Sequence, residues 1–139
     1  MKALIDVNVF EDVFRQRDGW QASTGVLGAI SKGQIDGVVS ALTPAILYFF
    51  RKRSRGEQAA RQAVQGILRN LTVVALDGVA IDSAYATALP DFEDALQFEA
   101  AVAASANVIV TRNKKDFKQD RIQVLTPEEM LAQLGANLG

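Results

Sequence analysis

The strongest constraint on this chain is an alternation between two kinds of segment. Short apolar runs, Ala3-Leu4-Ile5, Gly37-Val38-Val39-Ser40, Thr72-Val73-Val74-Ala75-Leu76 and Val108-Ile109-Val110, are separated by longer stretches with helical spacing. Strands this short and this uniformly apolar are buried on both faces, and helices between them supply the cover. The predicted fold class is α/β, a three-layer α/β/α arrangement around a parallel sheet of four or five strands. Ile122 to Leu125 is the fifth candidate.

The helices announce themselves by period and punctuation. Val9, Phe10, Val13 and Phe14 follow the first strand, and Val26, Leu27 and Ile30 mark a second helix ending near Gly33. Thr43-Pro44 opens a helix carrying Ile46, Leu47, Phe49 and Phe50, and Gly56 leads into another with Ala60, Val64, Ile67 and Leu68. Further helices are expected from Val79 to Ala88, from Pro90-Asp91 to about Ser105, and from Thr126-Pro127-Glu128-Glu129 onward. Trp20 and Tyr85 read as core aromatics. At 139 residues the chain suits a single domain, residues 1–139, able to build its own core.

Composition then removes whole classes of chemistry. Cys and His are both absent, which excludes zinc ribbons, iron–sulfur clusters, thiol nucleophiles, Ser-His-Asp hydrolysis and imidazole metal sites. Neither G-x-G-x-x-G nor G-x-x-x-x-G-K-[ST] occurs, so no standard nucleotide loop is present. The apolar stretch Ala45 to Phe50 is far short of the ~20 residues that span a bilayer. Asp6 interrupts the N-terminal apolar run before it could form a signal-peptide core. The expectation is a cytoplasmic protein with no membrane contact. A formal net charge of -1 argues against a general cationic coat.

Ligands of such sheets gather beyond the carboxyl ends of the strands. Those positions hold Asp6, Ser40, Thr111-Arg112-Asn113 and Asp116, while Asp94 occupies the first turn of a helix. Convergent carboxylates without His suit Mg²⁺ or Mn²⁺, hard cations that keep water positions open for a phosphate substrate. Each acid also has a plain structural use. Asp91 and Asp94 suit an N-cap and a first-turn acid, Asp6 could end a strand and cap the next helix, and Asp116 could be a turn residue.

Taken together, Asp6-Val7-Asn8-Val9, Ser40-Ala41-Leu42-Thr43, Asp91-Phe92-Glu93-Asp94-Ala95, Thr111-Arg112-Asn113-Lys114-Lys115-Asp116-Phe117 and Thr126-Pro127-Glu128-Glu129 resemble the PIN domain family of metal-dependent nucleases. Many members are single-stranded RNA endonucleases, including toxins of bacterial toxin–antitoxin pairs. The resemblance implies an endoribonuclease with Asp6, Asp94 and Asp116 as catalytic, metal-holding acids. It further implies that Asn8 steadies the first acid and that Thr111 and Asn113 orient the last acid or touch substrate. Ser40, Arg112 and Lys114 join Asn8, Thr111 and Asn113 as expected substrate-binding residues, with Lys115 also near the acids. RNA is the implied substrate, with an antitoxin-type protein partner and a homodimer as family-level expectations.

One position departs from the family pattern. Its members usually carry Glu or Asp in the helix after the second strand, where alignment on Ser40-Ala41-Leu42-Thr43 puts Ile46 in this chain, and no acid occurs between Gly37 and Gly56. Glu11, Asp12 and Glu93 are the candidate substitutes. The competing reading is a degenerate domain that binds RNA or protein without cleaving. Arg51-Lys52-Arg53-Ser54-Arg55, preceded by Tyr48, Phe49 and Phe50, reads either as a phosphate stripe with stacking surfaces or as a solvated helix end beside core or dimer aromatics. A phosphatase of the haloacid dehalogenase type would need a second Asp where Asn8 stands.

Overall fold

Every expected strand forms, and all five lie parallel in one sheet ordered β3-β2-β1-β4-β5. The structure, a computed structural model, describes residues 1–87 and 89–138. β1 (Lys2–Ile5) takes the centre, between β2 (Asp36–Ser40) and β4 (Val108–Val110). β3 (Thr72–Val74) and β5 (Gln123–Leu125) form the edges.

The period of two along each strand sorts its side chains into two cores. Ala3, Ile5, Val39, Val108 and Val110 face one, and Leu4, Val38 and Ile109 face the other. The first core is covered by α1 (Val7–Arg15), α2 (Trp20–Ser31), α3 (Leu42–Arg55), α4 (Glu57–Asn70) and α7 (Pro127–Leu138), which contribute residues such as Phe10, Val26, Leu47, Ile67 and Met130. The second is covered by α6 (Phe92–Ala103) through Phe98 and Ala101, and by Phe117 from the 3-10 turn Lys114–Phe117. α5 (Gly78–Ala86) packs on α6. The three-layer α/β/α architecture is thus the one the alternation demands.

Local chemistry sets the helix ends. Asp77 accepts the N–H of Ala80 at 2.9 Å and Asp91 accepts that of Asp94 at 3.1 Å, each satisfying an orphan donor of a first turn. Thr126 and Glu129 exchange backbone-to-side-chain bonds at 2.9 and 3.1 Å, a capping box that starts α7. α3 and α4 part at Gly56, whose φ of 90° suits a residue without Cβ.

Three expectations shift. β3 ends at Val74 rather than at 76, because the chain turns there to bring Asp77 onto the start of α5. α5 runs Gly78–Ala86, and Ala88, where its end was expected, lies outside the described residues. Tyr85 is not a core residue: α5 buries only Ala84 against its neighbours, leaving Tyr85 84% exposed. Among the described residues no helix is long and apolar enough to cross a membrane.

The parallel register prepares the site. Ile5 pairs with Val110, so the two residues that follow, Asp6 and Thr111, emerge side by side at the carboxyl edge of the sheet. Ser40 ends the neighbouring strand on the same edge.

Candidate active site

Asp6 is the pivot of this edge. Its backbone N–H continues the β1–β4 ladder to the Val110 carbonyl at 3.0 Å, and its side chain then caps α1 by accepting the N–H of Val7 at 2.7 Å. The second carboxylate oxygen accepts the Thr111 hydroxyl, also at 2.7 Å. Thr111 is fully buried and its oxygen in turn accepts the backbone N–H of Asn113 at 3.0 Å and the Asn8 amide at 3.3 Å. Asn8 closes the loop by accepting the backbone N–H of Arg112 at 3.2 Å. Asn8 therefore reaches the first acid through Thr111, and Thr111 orients Asp6 rather than Asp116. Capping occupies one oxygen of Asp6 and leaves its membership in the edge intact.

The other acids approach from the opposite side without such support. Asp94 stands in the first turn of α6 and Asp116 in the 3-10 turn, both half-buried, with Glu93 beside them and exposed. Among the described residues no hydrogen-bond donor or cation pairs with their carboxylates. The electrostatic consequence is plain. Burial, then the charges of Asp6, Asp91, Asp116 and Glu93, push Asp94 up to about 7. Burial raises Asp6 to about 6 against the lowering effect of its Thr111 and Val7 bonds, with Glu93 and Asp116 adding to the rise. Burial and Asp91 raise Glu93 as well.

These groups feel one another, and that mutual repulsion is what a cation would relieve. The donor set, carboxylate oxygens with no imidazole or thiolate, fits a hard divalent ion. Among the described residues no three acids stand close enough to ligate one ion as they are, so the acids share an edge without forming a ligand cage.

The candidate substitutes for the acid missing at Ile46 separate cleanly. Glu11 pairs with Arg15 at 3.1 Å. Asp12 is buried and committed to Arg17, Ser23 and Arg112. Glu93 alone of the three acts on both Asp6 and Asp94. Ile46 itself is half-buried in α3.

Several residues expected to meet substrate have other partners. Arg112 sends its guanidinium into the protein, donating to Asp12, to Glu128 at 2.7 Å, to the Gly19 carbonyl and to Ser23 at 3.1 Å. Desolvation opposes its charge, but the bonds to Glu128 and Asp12 prevail and raise its pKa. It is a clamp joining α1, α2, β4 and α7, because a buried Asp12 requires a partner. Lys114 pairs with Glu129 at 3.0 Å on the surface. Ser40 has no exposed surface and meets Thr43 at 3.5 Å beneath the edge. Asn113 and Lys115 are exposed beside Asp116.

Sequence reasoning passed over Gln97 and Gly19. Gln97 is fully buried on α6, one turn after Asp94, and donates to Thr43 at 3.1 Å while its carbonyl oxygen has no partner. An amide inside Ala95-Leu96-Gln97-Phe98, an otherwise apolar stretch, was the available signal. Gly19 has φ 86°, and a Cβ there would lie 2.7 Å from the Arg112 guanidinium. Only the fold could reveal that approach.

The comparisons agree with this architecture. Residues 2–115 match the PIN domain family, and the chain belongs to it. Among solved structures, a toxin–antitoxin complex from Klebsiella pneumoniae is similar with a TM-score of 0.68 at 22% identity, covering 90% of this chain and 97% of that one. The VapBC2 complex of Rickettsia felis, bound to a DNA fragment from its promoter, gives 0.67 at 17% identity over 90% and 97%. VapC20 of Mycobacterium tuberculosis, a toxin that cleaves the sarcin-ricin loop, gives 0.65 at 11% identity over 87% and 98%. At these identities the likeness is one of fold. No curated protein matches the chain in sequence.

Proposed function

We propose that this chain is a divalent-metal-dependent endoribonuclease that hydrolyses phosphodiester bonds in single-stranded RNA. The observation that carries the reading is the gathering of Asp6, Asp94, Asp116 and Glu93 at the carboxyl edge of the sheet, near enough for charge to raise Asp6 and Asp94, with no ion pair to Asp94, Asp116 or Glu93 among the described residues. Asp6, Asp94 and Asp116 would hold Mg²⁺ or Mn²⁺, with Glu93 supplying the charge that Ile46 cannot. When bound, such an ion activates water as a nucleophile and neutralises charge on the leaving oxygen.

The chain's own groups do the positioning. Val7 and Thr111 fix both oxygens of Asp6, and Asn8 with the backbone of Asn113 fixes Thr111. The Ser40, Thr43 and Gln97 chain braces the start of α3 against α6, below Asp94. Asn113 and Lys115, exposed next to Asp116, are the groups left to meet the phosphate backbone, since Arg112 and Lys114 are occupied. We read the whole chain as one catalytic domain acting in the cytoplasm. The similarity to toxins solved with antitoxins supports a toxin-type role with a silencing protein partner, and a homodimer is compatible with it.

Ile46 favours a second reading, a degenerate domain that binds without cleaving. Both are tested by incubating single-stranded RNA with wild type, Asp94→Asn and Ile46→Glu in Mn²⁺, Mg²⁺ or EDTA. Cleavage that needs metal and vanishes in Asp94→Asn is expected. Silence from wild type with activity gained in Ile46→Glu would establish the degenerate domain instead.

A further inference from the structure

The charge of this chain is divided unevenly. Between Ala41 and Asn70, which spans α3 and α4, six basic side chains face one acid, Glu57, for a net +5. The rest of the chain carries nine basic and fifteen acidic side chains, a net −6. None of the six cations belongs to an ion pair among the described residues. Exposed aromatics accompany them: Phe49 is 56% and Phe50 42% exposed, their rings edge to face at 5.4 Å, and Arg53 lies over Phe49 at 5.6 Å.

Helical geometry arranges these groups further. Tyr48, Lys52 and Arg55 fall on one stripe of α3, and the Tyr48 hydroxyl donates to Glu57 of α4 at 3.1 Å. Tyr48 borders a groove of about 690 Å³ whose other wall is α4, with Gln58, Arg61, Gln62 and Gln65 among its residues. Unpaired cations beside exposed rings and a groove rich in amides form the combination that tracks a single strand: charge for the phosphates, flat surfaces for the bases.

We propose that the α3–α4 hairpin is a second contact surface for single-stranded RNA, an arm that anchors the strand away from the acidic edge. This rests on the nuclease reading for the identity of the ligand. α3 begins two residues beyond Ser40, at the carboxyl edge, and its cationic end lies roughly 20 Å along the helix axis, so one strand can touch both regions. A second copy of this chain is the weaker occupant, because two +5 surfaces brought face to face repel.

The test is fluorescence anisotropy with a labelled single-stranded RNA of mixed sequence, in EDTA, across a salt series. The triple variant Lys52→Ala, Arg53→Ala, Arg55→Ala is expected to bind about ten-fold more weakly at low salt and to flatten the log–log salt slope by about 2. Phe49→Ser is expected to weaken binding about five-fold at unchanged slope. Lys32→Ala, which removes an exposed cation after α2 and outside the hairpin, should keep the wild-type affinity. Wild-type affinity and slope in both hairpin variants would overturn the proposal. So would a wild-type dimer that Phe49→Ser dissociates in sedimentation while RNA affinity stays constant, which would assign the face to a second copy. Hairpin-dependent binding by a protein that cleaves nothing upholds the arm and rejects the nuclease reading. Metal-dependent cleavage with binding indifferent to the hairpin does the reverse.

Discussion

The two sides of the acidic edge are built on opposite principles. On the β1–β4 side every polar group is spoken for: Asp6 by Val7 and Thr111, Thr111 by Asn8 and Asn113, Asp12 by Arg112, Arg17 and Ser23. On the α6 side Glu93, Asp94 and Asp116 stand without donors among the described residues, and burial together with the charges of Asp6, Asp91, Asp116 and Glu93 raises the affinity of Asp94 for a proton. The difference teaches where rigidity and where strain are kept. A bonded side holds one acid in a fixed place, and a repulsive side stores electrostatic energy that only an added positive charge can release.

Breaking the bonded side should cost the most. Asp12→Ala leaves the Arg112 guanidinium in a largely buried position without its buried carboxylate partner, and a loss of about 3 kcal/mol in urea unfolding is expected. Gly19→Ala should cost about 2 kcal/mol in the same assay. It combines a left-handed φ with a Cβ lodged 2.7 Å from Arg112. Thr111→Val keeps the shape but strips Asp6 Oδ2 of its donor, for an expected loss of about 1 kcal/mol together with reduced metal affinity.

The repulsive side should respond with the opposite sign. Folded Asp94 holds its proton up to about 7 against an ordinary value of 3.8, so the native state binds more protons than the unfolded chain across that window. Stability from this group is complete below the ordinary value and is lost as pH rises through the folded one. In EDTA, wild-type Tm is expected to fall between pH 4 and pH 7, and Asp94→Asn to flatten that decline. The smallest effect belongs to Glu128, whose pKa Arg112 lowers by hydrogen bonding. Its contribution is present above the ordinary carboxylate range and fades on acidification, and its exposure keeps the expected change in Tm for Glu128→Gln to about a degree.

The sheet and its cover were legible because burial on both faces leaves a direct mark on residue type: β4 is Val108-Ile109-Val110, and β1 and β2 carry Ala3-Leu4-Ile5 and Val38-Val39 at their buried centres. Caps at Asp91 and Thr126 were legible for the same local reason. The bonding pattern of the site was not. Whether Arg112 meets a phosphate or Asp12 depends on α2 arriving with Gly19 and Ser23, an event remote in sequence. Likewise Ser40 stands on the right edge, yet its side chain turns inward to Thr43. Tyr85 was misjudged because helical spacing does not say how many neighbours a helix has, and α5 buries little.

The most direct test is a calorimetric titration of Mn²⁺ into wild type, Asp6→Asn, Glu93→Gln and Asp94→Asn at neutral pH. The expected result is a saturable site in wild type that is lost in Asp6→Asn and Asp94→Asn and weakened in Glu93→Gln. Binding that persists unchanged in all three variants, or no binding by wild type, would contradict an acidic edge built to hold a cation.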